Sequence, residues 1–253
     1  MALAIEARPV LNSSAQVARW KEIAPGQACD LMVDTGMNRL GLRADEIGLA
    51  DGLMIDTLMS HLACADEDSA MNAVQLDRFR AVVAAVPAKR ASLANSAGIC
   101  LGTDYAFDLV RPGLALYGGL PRKEARGHIA QVAFPEAEVV QRRAVRAGES
   151  IGYGATWVAT GDTDVAIVNV GYADGYLRCF AGNGAAVVDD MRLPLIGRVS
   201  MDLVALDCSG ASDLAEGDWV TLDYALPDAA EASGLSQYEL LTGLSERFER
   251  RWL

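Results

Sequence analysis

A chain of 253 residues, 51% hydrophobic and 22% charged, is long enough for one large domain or two smaller ones with an ordinary soluble core. Its net charge of −12 argues against a general nucleic-acid or anionic-membrane surface. Any phosphate ligand then has to be held locally, by arginines and backbone amides.

Residues 14–23 place Val17, Trp20 and Ile23 three apart, which predicts one helix face with Ser13 or Ser14 as N-cap. Leu31–Asp34, stopped by Thr35-Gly36, reads as a buried strand, 43–52 as a short helix or turn, and Thr57–His61 as a second strand. Met71, Val74, Phe79, Val82, Val83 and Val86 form a helical stripe over 69–86. Ser92–Asn95 reads as a third strand, and Phe107–Arg111 leads into a fourth. Strands alternating with helices imply a parallel sheet with right-handed crossovers. The polar residues Asp34 to Arg39, His61, Asn95-Ser96 and Arg111 all follow strands, and in a βα barrel that is the ligand end.

After about residue 133 the pattern becomes all-β. Glu138–Gln141, Asp164–Val170, Gly184–Asp189, Leu203–Asp207 and Trp219–Asp223 are short β-rich runs with Gly148, Gly161, Gly182 and Gly217 between them, and a helix closes the chain over 236–244. The expected domains are therefore 1–132 and 133–253. A full (β/α)8 barrel takes ~250 residues, so the first domain reads as a partial TIM-type barrel, its second half, followed by a C-terminal β domain. Half a barrel leaves unpaired edges, which folded proteins avoid.

No apolar run approaches the ~20 residues of a membrane span, and Met1–Arg8 lacks the basic region and long apolar core of a secretory signal. Cys29, Cys64, Cys100, Cys179 and Cys208 contain no CxxC pair and are expected to be free buried thiols of a cytoplasmic protein. His61 and His128 join no cluster with metal-ligand spacing, so no metal is expected.

Taken singly, the candidate site residues are ambiguous. Val33–Gly41 reads equally as a polar βα loop, His61 as a structural histidine and Tyr153 between glycines as a surface turn. Together they form an ordered series. Val-Asp-Thr-Gly-Met-Asn-Arg-Leu-Gly at 33–41 is followed by Ser-His-Leu-Ala-Cys-Ala-Asp-Glu at 60–67, Ala-Asn-Ser-Ala at 94–97 and Val-Arg-Pro-Gly-Leu-Ala-Leu-Tyr-Gly at 110–118. Gly-Tyr-Gly-Ala-Thr at 152–156, Gly-Tyr-Ala-Asp-Gly-Tyr-Leu-Arg at 171–178 and Gly-Arg-Val-Ser-Met-Asp at 197–202 complete it. This series closely resembles the alanine racemases, from about Arg8 to the end of the chain.

The resemblance implies a βα barrel with a C-terminal β domain, a homodimer with active sites shared between subunits, and pyridoxal 5′-phosphate as cofactor. The implied reaction is proton exchange at the α-carbon of alanine between two bases, a lysine and a tyrosine, which supplies D-alanine for cell-wall peptidoglycan. By motif, Tyr153 looks like the tyrosine base, with His61 and Arg111 as the network that activates it. Arg111 also matches the arginine facing the pyridine nitrogen. Arg39 and the Met201 amide match the contacts to the substrate carboxylate. Ser96, Gly113, Leu114 and Tyr238 match the phosphate cradle, and Asp66, Tyr172, Arg178 and Arg198 an entrance corridor. Asp202 reads as structural or as part of that corridor.

Two departures from the pattern follow. Met32 stands where many members carry a carbamylated lysine paired with the arginine that Arg39 matches. The motif of the cofactor lysine is not found, and Lys21, Lys89 and Lys123 are the only lysines. The 253 residues alone are therefore expected to be inactive, as a fragment or one part of a split racemase. A non-catalytic remnant is the alternative. A related barrel-fold decarboxylase fits less well, for want of its glycine triplet and cysteine-containing substrate motif.

Overall fold

The computed structural model describes residues 7–252. Met1–Glu6 and Leu253 lie outside the described residues, and so does most of the stretch read for a secretory signal. The chain divides into two compact units: one runs to Leu116 and takes in Pro121–His128, and the other comprises Tyr117–Leu120 and Ile129 onward.

In the first unit four strands, β1 (Val10–Leu11), β2 (Ala28–Met32), β3 (Met54–Met59) and β4 (Arg90–Ser92), pair in that order and all in parallel. Between β1 and β2 lies α1 (Ser14–Ile23), capped by the Ser13 hydroxyl, which accepts the Gln16 N–H at 3.3 Å. Val17 and Trp20 are buried, but Ile23 is exposed, so the predicted face is two residues wide rather than three. Pro25-Gly26 stops the helix, with Gly26 at φ +73°. Between β3 and β4 lies α2 (Ala70–Ala85), capped by Ser69. Its buried face is Asn72, Gln75, Leu76, Phe79 and Val82, and Val74 of the predicted stripe is exposed.

The predicted strands over 31–34, 57–61 and 92–95 begin two to three residues earlier than the apolar runs suggested. The first strand, at Val10, was not foreseen. Nor does a strand follow Phe107–Arg111: only the bridge between Asn95 and Arg111 forms. Pro112 has no N–H to continue a ladder, and Leu114–Tyr117 turns instead into a short 3-10 helix.

The parallel sheet is stapled by charge. The β2–β3 register slips between Cys29 and Leu31, and the Asp30 carboxylate in that bulge takes the Thr57 N–H at 2.9 Å and Arg8 Nε at 2.8 Å. Asp56 on β3 pairs with Arg8 and Arg90 at 2.8 Å each and with Lys89 at 3.6 Å.

In the second unit β5 (Glu136–Val145), β8 (Thr163–Val168), β9 (Ala185–Val188), β10 (Met191–Ile196), β11 (Val204–Asp207) and β12 (Trp219–Leu222) close a barrel in the order β10-β11-β8-β5-β12-β9. Every pairing is antiparallel. Closure leaves no edge strand open. Its interior is Val139, Ala166, Val168, Leu193, Leu206 and Val220, with Tyr176 and Phe180 stacked at 4.5 Å between centroids. A separate hairpin of β6 (Ser150–Ile151) and β7 (Trp157–Val158) stands outside the barrel. After β12 the chain forms α4 (Leu226–Ser233) and α5 (Gln237–Gly243), the latter closed by a Ser236–Glu239 capping box.

No helix of the described residues is long and apolar enough to cross a membrane. All five cysteines are free, but only Cys29 and Cys208 are buried, and Cys179 is exposed in the 3-10 turn Arg178–Phe180.

Burial alone would raise the Asp56 carboxyl, but Arg8, Arg90 and Lys89 outweigh it and hold it below the ordinary carboxylate range. A depressed folded-state value contributes stability above the unfolded value of about 3.9 and loses it as pH falls through the folded one. The urea midpoint of the first unit is therefore expected to hold between about pH 7 and 5 and to fall below about pH 4. Asp56→Asn should lower the midpoint at neutral pH and flatten this acid dependence. An unchanged acid profile in the variant would contradict the staple.

Candidate active site

The polar ends of the parallel strands converge. Arg111, two residues past Leu109, turns its guanidinium back over β3 and β4. It donates to the Ser60 carbonyl at 2.5 Å, to the Ser92 carbonyl at 2.9 Å and to the Ser92 hydroxyl. Those carbonyls lie at the C-terminal ends of two neighbouring strands, so one cation ties both. Burial lowers the Arg111 guanidinium from its ordinary value, yet an arginine so bonded stays cationic at any pH near neutrality.

His61 follows directly. Burial, then Arg111, then Arg39 push its imidazole below the ordinary histidine value, so it is neutral at pH 7. Asp34, Arg39, Ser60 and His61 line one small pocket with Met32 and Met37. The loop that carries Arg39 is wound on Asp34, whose carboxylate accepts the Gly36 N–H at 2.7 Å and the Asn38 N–H at 3.1 Å. Met32 brings a thioether and no charge to this pocket.

Past β4, Asn95 caps the short helix α3 (Ser96–Ile99) by accepting the Gly98 N–H at 2.8 Å. The buried Ser96 hydroxyl accepts the N–H groups of Gly113 at 2.9 Å and Ala115 at 3.2 Å, which draws Gly113 and Leu114 beside it. In the first unit the structure thus brings together Arg39, His61 and Arg111, and draws Gly113 and Leu114 to Ser96. Asp66 is exposed in the loop after His61.

The second unit exposes its own set. The β6–β7 hairpin carries Tyr153 at its tip, 74% exposed. Gly152 and Gly154 on either side adopt φ +75° and +74°, which only glycine takes without strain. The Arg198 guanidinium lies against Gly154, 3.3 Å from where a Cβ would stand. Met201 is exposed in a loop that receives the Tyr172 turn: the Tyr172 and Ala173 amides donate to the Ser200 and Met201 carbonyls at 3.0 Å each. Arg178 stacks on the Tyr172 ring at 4.8 Å. Asp202 is an anchor rather than a free carboxylate: Arg247 reaches it at 2.8 Å and buried Asp174 at 3.2 Å. Tyr238 sits half-exposed on α5, next to Gln237, which exchanges two hydrogen bonds with the Leu120 backbone at 2.7 and 2.9 Å.

Sequence reading missed the residues that hold these loops. Arg122, 8% exposed, donates to the carbonyls of Ala65 and Glu67 at 2.9 and 2.8 Å and pairs with Asp68 and Glu124, pinning the loop that carries Asp66. Asn72 donates to the carbonyls of Cys64 and Glu67 at 3.0 and 3.1 Å. The available signal was polar Asn72 and Gln75 in phase with Phe79 and Val82 on one helix face. Among the described residues no group of His, Cys, Asp and Glu is arranged to hold a metal ion.

Comparison with known proteins is consistent across sequence and structure. Residues 1–121 match the alanine racemase N-terminal domain and residues 132–252 the alanine racemase C-terminal domain. The catabolic alanine racemase of Agrobacterium fabrum is 41% identical, the match covering 97% of this chain and 68% of the relative. The alanine racemase of Jannaschia sp. is 43% identical, over 96% of this chain and 70% of the relative. The crystal structure of alanine racemase from Bartonella henselae with covalently bound pyridoxal phosphate superposes with a TM-score of 0.89 at 31% identity, covering 100% of this chain and 75% of that one. The Acinetobacter baumannii enzyme gives 0.86 at 32%, over 97% and 73%.

The close approach of Gly171 to the Met201 loop is testable. A Cβ there would lie 2.4 Å from the carbonyl oxygens of both Ser200 and Met201. Gly171→Ala is expected to cost about 1–3 kcal/mol in urea unfolding of the second unit, the range of an overpacked core. Wild-type stability in the variant would mean that the loop is free to move away.

Proposed function

The chain belongs to the alanine racemase family, and on that premise we propose that it carries most of a site interconverting L- and D-alanine by two-base proton transfer. The cluster of Arg39, His61 and Arg111 at the ends of parallel strands carries this reading. Its product is D-alanine for peptidoglycan.

Pyridoxal 5′-phosphate fits the residues present. Ser96 accepts two amide N–H bonds and so keeps its own proton to donate to a phosphate. The Arg111 guanidinium does not readily give a proton to a pyridine nitrogen, which suits a ring that is to remain a weak sink and favour prompt reprotonation. When bound, the cofactor supplies an electron sink for the α-carbon of alanine. Ser96, Gly113, Leu114 and Tyr238 would hold the phosphate, and Arg111 would face the ring nitrogen. Arg39 and the Met201 amide receive the substrate carboxylate.

Tyr153 moves a proton at its phenolic oxygen. A free phenol ionises near pH 10, so accepting a proton near neutrality requires a nearby cation. His61 is neutral, so the fixed positive charge beside it is that of Arg111. In this reading Tyr153 serves the partner subunit of a homodimer, and Asp66, Tyr172, Arg178 and Arg198 line the approach. With Met32 in the pocket, Arg39 is neutralised by chloride or a carboxylate rather than by a carbamylated lysine.

The second base is assigned to a lysine outside these 253 residues, which would also hold the cofactor covalently. Lys21 lies exposed on α1, Lys89 reaches Asp56 at 3.6 Å and Lys123 reaches Asp68 at 3.4 Å. The first unit is correspondingly the second half of a βα barrel. The test is conversion of D- and L-alanine by residues 1–253 with pyridoxal phosphate, alone and co-expressed with the N-terminal segment of a close racemase. Turnover is expected only with the added segment, and Tyr153→Phe should reduce it about 10²–10⁴-fold, the typical contribution of one positioned base. Robust turnover by the 253 residues alone, with borohydride fixing the cofactor to Lys21, Lys89 or Lys123, would overturn the assignment.

A further inference from the structure

The polar residues on the inner face of α2 include one that no role above uses. Gln75 is wholly buried. Its amide oxygen accepts the Ala63 N–H at 2.8 Å, and its amide nitrogen donates to the His61 carbonyl at 2.9 Å and to Thr35 Oγ1 at 3.1 Å. Thr35 Oγ1 shares a further hydrogen bond with Ser60 Oγ at 2.8 Å. The Ser60 carbonyl in turn accepts from Arg111. On the other side, Arg78, one turn further along α2, donates to the Thr35 carbonyl at 3.0 Å.

We propose that Gln75 is a positioning residue that fixes the His61 imidazole between Arg111 and Arg39, by binding the backbone on both sides of Leu62 and tying it to Thr35 in the Arg39 loop.

Packing does not account for this side chain. Leu76, Phe79 and Val82 already seat the helix on the sheet. An apolar residue at 75 would fill the same volume but leave the Ala63 N–H and the His61 carbonyl without these partners, and an unmade buried hydrogen bond is costly. Both amide protons and an oxygen lone pair of Gln75 are spent on the two loops that bear the site, so the bonds specify where those loops stand rather than whether the helix docks. The charged groups facing His61 are Arg111 past β4, Arg39 past β2 and Asp34, which lines the same pocket. Each comes from an element that the Thr35–Ser60–Gln75 network touches or adjoins, so a shift of the loop changes all three distances together.

The assignment rests on reading His61 as part of the racemase site, yet it is measurable without turnover. The chain has two histidines, His61 and His128. Proton NMR of the full 253-residue chain therefore gives two imidazole titrations, assigned with His61→Gln. In Gln75→Met, nearly isosteric but without amide donors, the His61 midpoint is expected to rise from its depressed position toward the ordinary value of about 6.5. The His128 midpoint should stay where it is. Thr35→Val, which removes one of the three bonds, should give a smaller rise in the same direction, and it decides the question if Gln75→Met does not fold. An unchanged His61 midpoint in the folded Gln75→Met protein, or in Thr35→Val if only that variant folds, overturns the proposal. In the racemising assembly, kcat should fall by up to about 100-fold, the scale of a roughly 1 Å misplacement, with KM little changed. Absence of racemisation in the unsubstituted assembly, with the added N-terminal segment present, would count against the racemase reading and leave the titration result standing.

Discussion

The polar cluster of the first unit depends on where one part-buried cation goes. Arg111 cannot shed its proton, so its charge must be met by fixed dipoles, and it finds them in the Ser60 and Ser92 carbonyls at the ends of β3 and β4. This bonding locks the two strand ends together and places a permanent positive charge beside His61. The histidine answers by staying neutral. The cluster then combines fixed charge from arginine with a neutral imidazole able to donate on one nitrogen and accept on the other.

The second unit solves a different problem with the same economy. A closed antiparallel barrel satisfies all its ladder edges internally, which frees its connections to be short, glycine-rich and projecting. Tyr153 stands out because Gly152 and Gly154 take left-handed conformations, and the Met201 loop is held because Gly171 lets Ser200 and Met201 approach to a distance no side chain permits. Rigid closure and exposed loops belong together: the strands carry the stability and leave the loops free to project.

Much of this was legible in the sequence, and the failures have physical causes. The helix over 14–23 announced itself by its Ser13 cap and its spacing, and that over 69–86 by its spacing, while the Ser69 cap went unread. Strand β10 was hidden because its hairpin turn is Asp189-Asp190, both left-handed at φ +46° and +66°, where Asn-Gly is the usual signal. Pro194 within it also argues against a strand. A fourth strand was expected at Phe107–Arg111, but only the bridge between Asn95 and Arg111 forms and the following proline ends it. The candidate site residues came from ordered motifs, whereas Gln75 and Arg122 did not, because a buried polar side chain looks in sequence like any surface one. Only its phase with apolar neighbours betrays it.

The central claim is that burial and, after it, the charge of Arg111 hold His61 neutral. It is tested most directly by titrating His61 in the unsubstituted chain and in Arg111→Leu. The account predicts a midpoint below the ordinary histidine value of about 6.5 in the first and a higher midpoint in the second. A His61 midpoint at or above the ordinary value in the unsubstituted chain, or one that does not move when Arg111 is replaced, would contradict it.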